Sequence, residues 1–169
     1  MIEVKYFLEK DWVAWKEIRL EALKVQSESF GSSYEEEVLY KEHDWKKFIN
    51  ENVIMGAFLN GELVGCAGFF VFKFLKMKHK GVMFGLYVKP EARNKGVASK
   101  IIQMIINHAK NSVTLLYCSV VTTNQTAFKL YQKYGFKIYG TELKALKIEN
   151  LYFDEYQLAL DLTKFNEKR

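Results

Sequence analysis

One proline and ten glycines stand among 169 residues, too few for a low-complexity tail or a disordered linker. The two cysteines, Cys66 and Cys118, sit inside apolar runs with no Cys or His at metal-ligand spacing. They build neither a disulfide framework nor a zinc motif and read as buried, reduced thiols filling core space. No apolar run approaches transmembrane length, and Met-Ile-Glu-Val-Lys at the start lacks signal-peptide architecture. A reducing cytoplasm is the default, with no membrane partner. His43, His79 and His108 belong to no motif, so surface or core roles are expected of them, and no metal. No repeat and no domain boundary interrupt the chain, so 1–169 reads as one domain. A domain near this size buries roughly 70% of its unfolded surface and needs no staple to fold.

Hydrophobic residues make up 49% of the chain and aromatics 15%, consistent with a well-filled core. The net charge of +5 suits an anionic ligand or surface. Yet lysines are scattered from Lys5 to Lys168 with acids among them. The densest cluster, Lys73, Lys76, Lys78 and Lys80, is interleaved with Phe72, Phe74 and Met77. It reads as a solvated loop between strands. A nucleic-acid surface would need more arginine and a single basic face, so no nucleic-acid partner is expected.

Residues 2–7 alternate as a half-buried strand. Asp11 is placed to cap a helix whose stripe is Trp12, Trp15, Ile18, Ala22 and Leu23. Residues 34–52 read as helical pieces. Strands are expected at 53–59 and 62–74, joined by the hairpin signal Asn60-Gly61, and at 81–88. That third strand is apolar on both faces, which places it inside a sheet. Helical periodicity over 95–109, a strand at 113–121, a helix at 124–134 stopped by Gly135, and long strands at 136–146 and 151–162 complete the chain. The strand–helix–strand unit over 81–121 implies a parallel pair with a right-handed crossover. The fold class is therefore α/β with a mixed sheet.

The junction from Leu86 to Ser99 carries the chemistry. A buried strand ends at Val88, Pro90 prevents its continuation, and a helix begins a few residues later. The first turn of a helix has N–H groups without intrahelical partners, at the positive end of the dipole. A pyrophosphate fits such a site. Gly96 and Ala98 lack bulk, while Arg93 and Lys95 supply charge. On the residues alone, an anion-binding loop and an ordinary strand-to-helix turn both fit. Neither the GxxxxGK[ST] nor the GxGxxG spacing occurs, which disfavours those two nucleotide-binding classes.

The run Arg93-Asn94-Lys95-Gly96-Val97-Ala98 resembles the (Gln/Arg)-x-x-Gly-x-(Gly/Ala) signature of the GNAT superfamily of acyl-CoA-dependent N-acetyltransferases. It follows a strand ending Leu-Tyr-Val, as in that family. A second hallmark is similar too: Asn124-Gln-Thr-Ala127-Phe-Lys-Leu130-Tyr131-Gln-Lys133-Tyr134-Gly135-Phe136. The resemblance covers nearly the whole chain. It implies six to seven strands flanked by about four helices, with the fourth and fifth strands splayed into a V-shaped cleft. It implies acetyl-CoA as co-substrate. Backbone groups of Leu86 and Val88, with Tyr87 between them, would pair with the pantetheine arm, and Gly85 would mark the start of the splay. Arg93, Asn94, Lys95, Gly96, Val97 and Ala98 would hold the pyrophosphate, with Ser99 adjacent. Asn124 would cap its helix and bond the pantetheine arm, and Ala127 would let the cofactor pass. Tyr131 would act as general acid on the departing thiolate; the alternative for it is an amphipathic core tyrosine.

The acceptor amine must be neutral to attack. A lysine-like amine of pKa about 10.4 is uncharged in roughly 1 molecule in 2,500 at pH 7, a deficit of about 4.6 kcal/mol, so a base or desolvation must help. Many relatives carry a glutamate on the fourth strand; here the aligned position is Gly85, and no acid lies between Gly81 and Val88. The nearest acids are Glu35, Glu36 and Glu37. They read either as the acidic start of a solvated helix or as an amine-attracting wall, with Glu36 the candidate base.

The resulting expectation is direct attack of a primary amine, on a small molecule or a peptide, within a ternary complex. A non-catalytic acyl-CoA sensor of the same fold is the alternative. A homodimer through the C-terminal strands is left open.

Overall fold

Asn60 and Gly61 both adopt positive φ, 52° and 88°, as a two-residue hairpin turn requires, and Leu59 faces Glu62 across it. The computed structural model describes residues 1–165. Its strands are β1 (Ile2–Tyr6), β2 (Val53–Leu59), β3 (Glu62–Val71), β4 (Lys80–Val88), β5 (Leu115–Val121), β6 (Lys137–Ile148) and β7 (Leu151–Asp161). Its helices are α1 (Trp12–Val25), α2 (Tyr34–Glu37), α3 (Glu42–Glu51), α4 (Val97–Ala109), α5 (Gln125–Lys133) and α6 (Leu162–Phe165). The mixed sheet has the order β1-β2-β3-β4-β5-β7-β6, as expected of the α/β class. Four helices are longer than two turns, and α2 and α6 are single turns. No helix among the described residues is long and apolar enough to cross a membrane.

Contacts divide the chain into two units: Met1–Phe70 with Met83–Ile105, and Val71–Val82 with the chain from Ile106 onward. In the first unit, β2 lies antiparallel to β1 and β3, with a bulge between Ala57 and Phe58. Spacing of three and four residues puts Trp15, Ile18, Ala22 and Leu23 on one stripe of α1, and all four are buried. They join Phe7, Phe30, Trp45, Ile49, Ile54, Cys66 and Tyr87 in one cluster. Trp15 and Trp45 are fully buried, and among the described residues their indole Nε1 atoms have no hydrogen-bond partner. Apolar contact of the rings, including Trp15 on Phe48 at 5.4 Å, offsets that desolvation.

Asp11 is a correction. It stands at the start of α1 but does not cap it; its Oδ2 accepts the Leu8 N–H at 2.7 Å, closing the short turn that precedes the helix. The partner strand expected to reach residue 74 ends at Val71, because Phe74 and Leu75 enter a tight exposed turn closed by Met77 N–H on the Phe74 carbonyl.

In the second unit, β4 runs parallel to β5 over Lys80–Leu115, Gly81–Leu116 and Val82–Tyr117. β5 pairs with β7 antiparallel from Leu115–Asp161 to Val121–Glu155, and β7 pairs with β6. β5 starts two residues later than expected because Val113 still donates to the Ala109 carbonyl at the end of α4. Gly135, at φ 95°, follows α5 as a left-handed stop. Leu116, Cys118, Val120, Tyr131, Phe136, Leu158 and Leu160 are buried.

Candidate active site

The strand-to-helix turn takes its shape from two left-handed residues, Asn94 at φ 60° and Gly96 at φ 85°. Pro90 opens a single 3-10 turn through Ala92, and the Arg93 side chain folds back so that its Nε donates to the Val88 carbonyl at 3.0 Å. The guanidinium thus ties the turn to the end of β4. Arg93, Asn94, Lys95 and Gly96 are exposed, Val97 is buried, and Ala98 and Ser99 are half-buried. The Lys100 N–H is bonded to the Gly96 carbonyl at 3.1 Å, which makes the N–H groups of Val97, Ala98 and Ser99 the ones without an intrahelical acceptor. A Cβ added at Gly96 would meet only Ile2 Cδ1, at 3.8 Å. Conformation and open space, not tight packing, account for glycine there. Amides without intrahelical acceptors, a positive helix end and two cationic side chains fit a diphosphate.

On β4, alternation breaks at Gly85, which has φ 65°. Past it, Tyr87 packs in the same core cluster as Phe84, three residues earlier, where strict alternation would put the two on opposite faces. Tyr87 turns its ring into the core, and its hydroxyl donates to Glu21 Oε2 at 2.9 Å. Burial, then the Glu21 hydrogen bond, hold its phenol well above the ordinary range. Of the three residues expected to face the cofactor, Tyr87 thus offers only its backbone.

The space beside Gly85 is filled by an arginine. A Cβ built there would lie 2.9 Å from Arg19 Nη1. Arg19 and Glu37 are the two buried charged residues of the first unit, joined by Nε–Oε2 and Nη2–Oε1 bonds of 2.9 Å each. Sequence patterning missed this pair. Its signal was Arg19 itself, at position i+4 from Trp15 on an otherwise apolar stripe. Within the Glu35, Glu36, Glu37 run, only Glu37 turns inward. Glu36 is exposed; it accepts the Ser33 Oγ proton at 2.7 Å, and its own N–H is bonded to that oxygen at 3.2 Å. This is a reciprocal cap at the start of α2. A cavity of about 500 Å³ lies nearby in the same unit, lined by Glu17, Glu21, Glu62, Glu91 and Lys89 among others. Four carboxylates against one ammonium favour a cation there.

The second unit holds the other candidates. Asn124 Oδ1 accepts the Ala127 N–H at 3.2 Å and so caps α5, while Ala127 is half-buried. Tyr131 is buried, edge-on to Phe136 at a ring distance of 5.7 Å. Burial, with a smaller effect from Cys118, pushes its phenol far above the ordinary range, so it holds its proton at neutral pH. Burial likewise raises both thiols, Cys66 to about 12. Among the described residues, no group of three or more His, Cys, Asp and Glu side chains is placed to hold a metal.

Residues 15–136 match the model of the acetyltransferase (GNAT) family. Over 78 residues the chain is 36% identical to the L-amino acid N-acetyltransferase AaaT of Escherichia coli (strain K12), a match spanning 45% of this chain and 48% of that protein. The chain thus spans about half the length of this relative. Among solved structures, a GNAT-family acetyltransferase from Streptococcus pneumoniae superposes with a TM-score of 0.84 at 22% identity, over 95% of this chain and 99% of that one. The structure of yncA from Salmonella typhimurium with its cofactor acetyl-CoA gives 0.82 at 15% identity, over 96% and 94%. These structural likenesses establish the fold.

Proposed function

Since the chain belongs to the acetyltransferase (GNAT) family, we propose that it moves an acetyl group from acetyl-CoA to a primary amine by direct attack in a ternary complex. The observation that carries this reading is the turn from Arg93 to Ser99, in which Asn94 and Gly96 take left-handed φ and α4 opens with N–H groups that have no intrahelical acceptor. Arg93, Lys95 and those amides would hold the diphosphate. The backbone of Leu86 and Val88, beyond the kink at Gly85, would align the pantetheine arm, assisted by Asn124 and Ala127. Acetyl-CoA brings the activated thioester; the residues bind, orient and manage protons.

Tyr131 is the proposed general acid. Its raised phenol carries its proton at neutral pH, as a donor must before the step, while the same burial makes it a weaker acid that a developing thiolate beside it has to draw on. For the base, β4 offers no acid, and Glu37 is held by Arg19. Glu36 remains the proposed base, through water, because its carboxylate is exposed. The acceptor is proposed to be an amine of the amino-acid class, supported by the name of the relative AaaT. The reading includes a homodimer through β6 and β7, supported by exposed Ile138, Tyr139, Leu151 and Tyr152; a monomer mass by light scattering would remove it.

Purified protein incubated with acetyl-CoA and a panel of L-amino acids, peptides and polyamines, followed by free-thiol release, tests the reading. Tight coenzyme A binding without thiol release on any amine would favour a non-catalytic sensor. No binding at millimolar acetyl-CoA would refute both.

A further inference from the structure

We propose that the buried Arg19–Glu37 pair is a positioning device for acetyl transfer: it holds the kink of β4 at Gly85 and, through it, the backbone of Leu86 and Val88. This inference rests on the acetyl-transfer reading above.

Gly85 is the point where β4 departs from regular strand geometry, at φ 65°. Arg19 Nη1 stands where a side chain at this position would begin, 2.9 Å from the ideal Cβ. The guanidinium is itself immobilised. Two bonds of 2.9 Å run to the two oxygens of Glu37, a fork geometry that fixes both distance and angle. The rings of Trp15, Phe30 and Phe48 lie 5.8, 5.5 and 5.8 Å from its central carbon. Glu37 in turn ends α2, whose Glu36 N–H is capped by the Ser33 Oγ. α1, α2 and β4 therefore meet at one guanidinium.

Stability alone is a weak reason for this arrangement. Arg19 and Glu37 are only 4% and 2% exposed, and a buried ion pair generally adds little over apolar side chains of similar volume. What the fork supplies, and methionines would not, is a single fixed position for the guanidinium against which Gly85 of the strand packs. Apolar packing allows small slides; two parallel charged hydrogen bonds do not. The groups that gain from a fixed β4 are the N–H and C=O of Leu86 and Val88, immediately beyond the kink.

The test separates packing from positioning. The double variant Arg19→Met/Glu37→Met is examined by thermal unfolding, by calorimetry with acetyl-CoA, and by steady-state kinetics. The expected result is a melting temperature close to wild type, with the Kd and KM for acetyl-CoA raised about tenfold or more and kcat changed less. A double variant with wild-type melting and wild-type KM overturns the proposal. Should that variant fail to fold, Glu37→Gln keeps the volume and one acceptor oxygen, and Arg19→Lys keeps the charge without the fork. Each is expected to raise KM severalfold in a folded protein, and an unchanged KM in both overturns the proposal. Wild-type protein that binds no acetyl-CoA sinks the acetyl-transfer reading and this proposal together. Wild-type binding with unaffected variants sinks this one alone.

Discussion

Arg93 donates its Nε proton to the carbonyl of Val88 across 3.0 Å, so the side chain that supplies charge to the turn also fastens the turn to its strand. Removing it should disturb both. Arg93→Ala is expected to weaken acetyl-CoA binding about tenfold, the scale of one charge-assisted hydrogen bond. Arg93→Lys restores the charge but not the Nε bond, and should recover less than half of that loss in binding free energy. Titration calorimetry at two salt concentrations distinguishes the two contributions, since only the Coulombic one is screened. Full recovery by lysine would show that the bond to Val88 is idle.

Gly96 sits at φ 85° with open space around it. Gly96→Ala should therefore cost about 1 kcal/mol of stability from backbone strain alone, while the cofactor still binds. Gly96→Glu adds bulk and negative charge against a diphosphate and should abolish detectable binding. Urea unfolding and calorimetry, run on both variants, check the contrast.

Tyr131→Phe removes the proposed proton donor and little else. Turnover should fall about a hundredfold, the lower range for general acid catalysis, with the KM for acetyl-CoA within twofold of wild type. Because burial raises the phenol, wild-type kcat should show no alkaline loss from this group up to its ordinary pKa of about 10. An earlier alkaline limb that disappears in Tyr131→Phe would mean the phenol is not shielded as the fold indicates.

Stability should decline on the alkaline side. Cys66, Cys118, Tyr87 and Tyr131 all have folded pKa values above their unfolded ones, chiefly through burial. The unfolded chain releases thiol protons near pH 8.5 and phenol protons near pH 10, while the native state still holds them. Linkage then favours the unfolded state: the contribution is complete below about pH 8.5 and is lost progressively as pH rises through the Cys66 value of about 12. Urea midpoints at pH 7, 8.5 and 10 should fall in that order. Iodoacetamide should label neither cysteine until urea is added.

Much of the architecture was legible because its signals are local. Asn60-Gly61 announced a hairpin through turn chemistry, Gly135 a helix stop, and Pro90 followed by Arg93 to Ala98 a strand-to-helix bend. The misreadings have a different physical origin. Asp11 looked like a cap because of its position, yet its carboxylate serves Leu8. Three consecutive glutamates gave no means of telling which turns inward, because that depends on Arg19, 18 residues away in sequence. Pairings between elements leave no periodic trace; a lone arginine on an apolar stripe is the one hint the pattern held.

The chain has three tryptophans, and Trp12, Trp15 and Trp45 all lie on α1 and α3, whereas residues 71–82 and 106–169 contain none. Emission excited at the indole band is accordingly a one-sided optical probe, blind to loosening around β5 to β7. Tyrosine absorbance samples both sides, with Tyr6, Tyr34, Tyr40 and Tyr87 in the first unit and Tyr117, Tyr131, Tyr134, Tyr139, Tyr152 and Tyr156 in the second. A tryptophan-emission midpoint that differs from the tyrosine-absorbance midpoint would show that the two halves do not melt as one.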